Sequence, residues 1–135
     1  MSLVDAVLAA RGLSESTARQ VFLHPDYEST RHDPFLLPDM TVAVDRLINA
    51  KEAKEKVVIY GDYDIDGLTA STVLLKSFEA FGITASVFIP NRFVEGYGLS
   101  ARAIETLAEQ GAQLIVTVDC GSLSHKEIER ANELG

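Results

Sequence analysis

Three aspartates stand at alternate positions, Asp62, Asp64 and Asp66, in the stretch VVIYGDYDIDGLTAST over residues 57–72. Carboxylates this close in sequence repel one another, so the arrangement is costly unless a cation or strong donors neutralise it. Oxygen-rich clusters of this kind suit the hard ions Mg²⁺ or Mn²⁺. A fourth carboxylate, Asp119, follows a later apolar run, LIVTV. Four carboxylates from separate loops can serve two cations that share a ligand. Two metals about 4 Å apart activate water and stabilise both the attacking and leaving oxygens of a phosphoryl group.

The same residues admit other chemistry. DYDIDG matches the opening of a calcium EF-hand loop, but the twelfth position, which needs a bidentate Glu, is Val73, and a strand rather than a helix precedes it. In a haloacid-dehalogenase-like phosphatase, Asp64 would be the nucleophile and Asp66 the acid/base. There a Thr directly follows the Gly, where this chain has Leu68, and Asp62 has no role. A purely structural reading has the aspartates making Asx-turns and capping a helix that begins near Leu68. One aspartate satisfies that reading, whereas three plus Asp119 make poor use of charge.

These groups must be held by regular elements, and from Val57 onward the chain alternates. VVIY reads as a buried strand, and LTASTVLLKSFEAF as a helix stopped by Gly82. TASVFI is the second strand and PNRFVEGYG a loop. Ser100 caps the helix ARAIETLAEQ, and LIVTV is the third strand. Ser124 with Glu127 predicts a capping box for a last helix. Strand–helix repetition of this kind implies right-handed crossovers and an α/β fold with a doubly wound parallel sheet. In such sheets ligands bind outside the carboxyl ends of the strands, where the aspartate run and Asp119 both fall. Gly61 and Gly67 are expected to let the backbone turn sharply around the ions.

Upstream, LVDAVLAAR predicts a short helix, and Ser14 is placed to cap a second one through ARQVFL. HPDYESTRHDPFLLP, with three prolines, reads as an extended connector. Asp39 is a candidate N-cap for a helix whose apolar face is Met40, Val44, Leu47 and Ile48. The expected organisation is a helical leader and connector over residues 1–38, then an α/β region over 39–135.

Composition narrows the class. With 47% hydrophobic and 24% charged residues, the 135-residue chain has room for one α/β domain and is not a disordered one. No apolar run nears the ~20 residues of a membrane span. The N-terminus lacks a signal-peptide pattern, and a lone cysteine, Cys120, allows no internal disulfide and fits a reducing cytoplasm. A net charge of −8 argues against strong nucleic-acid binding by the chain alone, although bound cations would offset part of it.

GDYDIDGLTAS, then IPNRFVEGYGLS, then VTVDCGS, in this order and spacing, resemble the DHH phosphoesterase superfamily, and most closely its RecJ-like single-strand-specific exonucleases. DPFLLPDMTVAVDRLINA resembles the leader before the first motif of that group, so the resemblance covers essentially the whole chain. It implies that Asp62, Asp64, Asp66 and Asp119 are ligands for Mn²⁺ or Mg²⁺, with Asp119 bridging two metals and Asp64, Asp66 and Asp119 catalytic. Many members carry a ligand histidine where this chain has Tyr60, so Tyr60 or Asp62 stands in for it. Arg92 and Ser122 are the implied contacts to substrate phosphate; at the residue level, Arg92 can equally pair with Glu95, and Ser122 can simply shape a helix start. Tyr97 is expected to pack inward.

The Asp-His-His motif of the superfamily is absent from these residues. The expectation is therefore the N-terminal part of a DHH domain with an incomplete two-metal site, able to self-associate through an exposed sheet edge. The implied function is a metal-dependent 5′→3′ exonuclease on single-stranded DNA, in repair and recombination, with this stretch alone inactive. The alternatives are a DHH phosphodiesterase for short oligonucleotides or cyclic dinucleotides, or a non-catalytic DNA-binding scaffold.

Overall fold

Apolar runs of four residues, too short for helices and bounded by turn residues, become the strands of a parallel sheet in the computed structural model, which describes residues 2–135. The chain divides into two compact units, one ending at Thr41 and one running from Val42 to Gly135.

In the first unit, α1 (Leu3–Ala10) starts from a capping box in which Ser2 and Asp5 satisfy each other's backbone N–H. The second helix, α2 (Ser16–Leu23), begins after Glu15 with no side-chain cap, so Ser14 does not take that role. Arg19 of α2 ion-pairs with Asp5 of α1. The stretch expected to be extended is not uniformly so. Asp26 caps the single-turn helix α3 (Tyr27–Thr30), and Asp33 caps a 3-10 turn over Pro34–Leu36. In each, an aspartate side chain accepts a backbone N–H that a helix start leaves unpaired.

The second unit holds most of α4 (Met40–Ala53), then β1 (Val57–Tyr60), α5 (Ile65–Phe81), β2 (Ala85–Phe88), α6 (Ala101–Glu109), β3 (Leu114–Thr117) and α7 (His125–Glu133). Asp39 sits at φ +59°, left-handed rather than the extended backbone of an N-cap. The buried side of α4 is carried by Leu47 and Ala50, while Ile48 is 47% exposed. The strand order is β2-β1-β3, all parallel. The first strand in the chain is thus the central one, and the two crossovers leave to opposite sides of it.

Helices cover both faces as a result. Val57 and Ile59 pack with Ala50 of α4 and Phe78 of α5, and Val58 and Tyr60 pack with Ala103 and Leu107 of α6. A strand covered on both faces has no use for a polar residue, which is why VVIY shows no alternation. All of β1 is buried, whereas β2 and β3 are the partly exposed edges. The doubly wound parallel architecture is the one expected.

Gly82 ends α5 at φ +74°, and Ser100 caps α6 through the Ala103 N–H. Ser124 precedes α7 but makes no side-chain cap bond, so the anticipated capping box does not form. Tyr60 is level with Phe88 and Thr117. The three strands therefore end together, and the loops that follow them leave from one edge of the sheet.

Candidate metal centre

Directly after β1, Gly61 and Asp62 are fully covered. Neither Gly61 nor Gly67 adopts positive φ. Their absent side chains serve close approach instead. A Cβ on Gly61 would meet the Ser71 hydroxyl and stand 2.9 Å from Ile89 Cδ1. One on Gly67 would stand 2.6 Å from the Asp62 nitrogen and closer still to its carbonyl oxygen. Helix α5 thus presses its first turns against the Gly61–Asp62 backbone, where any larger residue would push them apart.

That packing buries Asp62 to 1% exposure. Its Oδ1 accepts the Tyr63 N–H at 2.7 Å. Asp64 is the N-cap of α5, its Oδ1 accepting the N–H groups of Asp66 and Gly67 at 3.1 and 3.0 Å. The helix therefore starts at Ile65, three residues before the expected Leu68, because Asp64 supplies the acceptor. After β3, Asp119 holds a left-handed backbone, φ +58°, uncommon for a side-chain-bearing residue.

These three side chains converge. Oxygens of Asp62, Asp64 and Asp119 all lie within 4.8 Å of one another. Asp66, expected as a fourth ligand, is exposed in the first turn of α5 and is not in this group. Tyr60 does not join it either. Its ring is buried under α6, 5.0 Å from that of Phe88, and its hydroxyl donates to the Gly98 carbonyl at 3.2 Å. Burial pushes the Tyr60 phenol up to about 12, so it acts as a neutral strut for the following loop. Asp62, not Tyr60, is the one of the two whose side chain lies in the carboxylate group.

Electrostatics point to a cation. The Asp119 carboxyl is raised above its ordinary value, first by loss of solvent and then by the charges of Asp64, Asp66 and Asp62. The Tyr97 phenol is raised mainly by Asp62. No Lys, Arg or His among the described residues ion-pairs with the three carboxylates. A buried carboxylate with a single backbone donor and two like-charged neighbours fits a hard divalent ion with oxygen ligands. The Cys120 thiol, half-buried and 3.8 Å from the Tyr60 carbonyl oxygen, is raised by burial and by Asp62 and Asp119, which keeps it protonated and unreactive.

The two implied phosphate contacts lie on the same edge. Ser122 is exposed and lines an open cleft of about 930 Å³ that also includes Asp119, Gly121 and Tyr97. Arg92 does not pair with Glu95, whose carboxylate accepts the Asn91 N–H. It lies over the ring of Tyr63 instead. Tyr97, expected to pack inward, is 73% exposed, because Gly96 and Gly98, at φ +82° and +78°, turn the loop outward on either side of it. In the sequence the one signal for Tyr63 is an aromatic between two aspartates, D-Y-D, in a loop otherwise built for charge.

Residues 56–135 match the family described as DHH family, N-terminal domain. The single-stranded-DNA-specific exonuclease RecJ of Bacillus subtilis is 38% identical over 98% of this chain, and that of Escherichia coli 39% identical over 69%. The chain spans 17% and 16% of the length of these two relatives. Among solved structures, an exonuclease RecJ bound to manganese superposes with a TM-score of 0.65 at 35% identity, covering 73% of this chain and 26% of its own. RecJ from Thermus thermophilus in complex with Mn²⁺ also gives 0.65, at 26% identity, covering 93% of this chain and 16% of its own. Matched by the family over the whole α/β sheet and by RecJ proteins in sequence and in fold, this chain belongs to the DHH family.

Proposed function

We propose that these residues form the carboxylate half of a two-metal centre in a 5′→3′ exonuclease that hydrolyses single-stranded DNA, with Mn²⁺ or Mg²⁺ as the ions. The observation that carries this reading is the convergence of Asp62, Asp64 and Asp119 on one strand edge. Bound cations would activate water and neutralise charge on the scissile phosphate. The chain's own part is to hold the ligands. Asp62 is fixed by the α5 packing, Asp64 by its cap, and Asp119 by its left-handed turn. Asp66, in the first turn of α5, supplies further negative charge and is assigned as an outer ligand or proton acceptor. Arg92 and Ser122 take substrate phosphate from the adjoining loops.

Several features favour this over the alternatives. The relatives named above are single-stranded-DNA-specific exonucleases, which supports that substrate over short oligonucleotides or cyclic dinucleotides. All four aspartates are present, which a non-catalytic scaffold would have no reason to keep. We assign the activity to DNA repair and recombination in the cytoplasm, in keeping with a described chain in which no helix is long and apolar enough to cross a membrane. Residues 1–38 are proposed as a leader and 39–135 as the DHH portion. The β2 and β3 edges offer parallel pairing partners, and self-association through them at high concentration is part of the proposal.

In the full-length polypeptide that carries these residues, Asp64→Ala and Asp119→Ala each abolish Mn²⁺-dependent release of mononucleotides from the 5′ end of single-stranded DNA. Unchanged release in both variants would overturn the assignment. The 135 residues alone bind Mn²⁺ weakly and turn nothing over, since they contain no Asp-His-His to complete the centre.

A further inference from the structure

Between two of the converging carboxylates stands Tyr63, and its ring joins two loops. Arg92, from the loop between β2 and α6, places its guanidinium carbon 5.6 Å from the ring centroid. Tyr97, from the same loop, meets the ring edge-on, with centroids 6.3 Å apart and planes at 78°. Arg92 has no carboxylate partner among the described residues, although Asp62 and Asp64 flank Tyr63 in the chain and converge with Asp119. A guanidinium free to meet a carboxylate would ordinarily pair with it bidentately. Here an aromatic ring holds it, and a guanidinium over a ring face keeps its N–H donors free for a second acceptor.

We propose that Tyr63 is a positioning residue, its ring holding Arg92 at the rim of the metal centre so that the guanidinium meets a phosphate of single-stranded DNA and not the ligand carboxylates. This rests on the reading of Arg92 as a phosphate contact. The ring acts and the hydroxyl does not, so phenylalanine replaces tyrosine without loss. The Tyr63 backbone is tied to Asp62, so the same residue couples the ligand loop to the substrate loop.

The test is binding rather than turnover. Fluorescence anisotropy of a labelled phosphorothioate oligothymidylate is followed in Mn²⁺ over a salt series, using the full-length polypeptide. Arg92→Ala weakens binding and lowers the slope of log affinity against log salt by about 0.7. Tyr63→Leu weakens binding roughly two- to fivefold, the range a ring–cation contact supports, and lowers the slope likewise. Tyr63→Phe binds as the parent does. In the Arg92→Ala background, Tyr63→Leu causes no further loss. A retained Mn²⁺-induced thermal shift certifies the fold of Tyr63→Leu, and Tyr63→Gln replaces it if that shift is lost. Equal losses from Tyr63→Leu in both backgrounds, no loss at all, or a loss in Tyr63→Phe overturns the role of Tyr63 while leaving that of Arg92. Parental binding by Arg92→Ala overturns both.

Discussion

Asp119 carries two costs at once, a left-handed backbone and a carboxyl raised by lost solvent and by three neighbouring negative charges. Its folded pKa lies above its unfolded one. Between the two values the folded chain keeps a proton that the unfolded chain releases. Stability from this group therefore falls as pH rises through that window, and the penalty is fully present at neutrality. Asp5 runs the other way. The Arg19 guanidinium lowers its pKa to about 2, so its contribution is present at neutral pH and is lost as pH falls through that value. Asp119→Asn, an amide that tolerates the left-handed region, should raise the melting temperature in EDTA at pH 7 and abolish the further rise on adding Mn²⁺. Differential scanning fluorimetry with and without the ion reads both effects. Gly67 offers a second residue-scale test with an inverted sign. Gly→Ala within a helix usually stabilises by about 0.5–1 kcal/mol. Here the methyl would strike the Asp62 backbone, and overpacking should cost about 1–3 kcal/mol in urea unfolding.

At the level of elements, two serines at helix starts look alike in sequence and behave differently. Ser100 accepts the Ala103 N–H, so Ser100→Ala should cost about 1 kcal/mol. Ser124 caps nothing, and Ser124→Ala should fall within about 0.5 kcal/mol of the parent by chemical denaturation. The contrast also shows what the sequence could and could not convey. Strand–helix alternation, the buried VVIY strand and the α5 stop at Gly82 were legible, because burial and glycine chemistry act over a few residues. The start of α5 was not, since the cap falls on Asp64 and sets the first helical residue at Ile65, three positions before Leu68. Gly61 and Gly67 were read as turn residues because their real constraint, the closeness of α5 to a preceding loop, exists only after packing. The convergence of Asp62, Asp64 and Asp119 is expected from their place at the carboxyl ends of the strands; the separation of Asp66 and the placement of Arg92 over the Tyr63 ring depend on side-chain directions that spacing does not encode.

For the molecule as a whole, a net charge of −8 opposes the approach of any phosphate chain. Without a divalent ion the edge that carries three carboxylates repels a phosphate chain, so in EDTA the 135 residues should leave the anisotropy of a labelled oligothymidylate unchanged at low salt. Adding Mn²⁺ should raise it, and Asp64→Ala should remove that rise. The strand order β2-β1-β3 carries a consequence of another kind. During synthesis the ribosome delivers the middle of the sheet before either side of it. The strand Val57–Tyr60 can dock on α4 and α5 early, yet its second neighbour does not exist until Thr117 has left the exit tunnel. Throughout that interval an apolar strand has one edge unsatisfied, and until α6 emerges one face uncovered as well, which exposes the nascent chain to aggregation at this point in translation. Slowing elongation between β2 and β3 should therefore lower the soluble yield more than the same delay placed within α7.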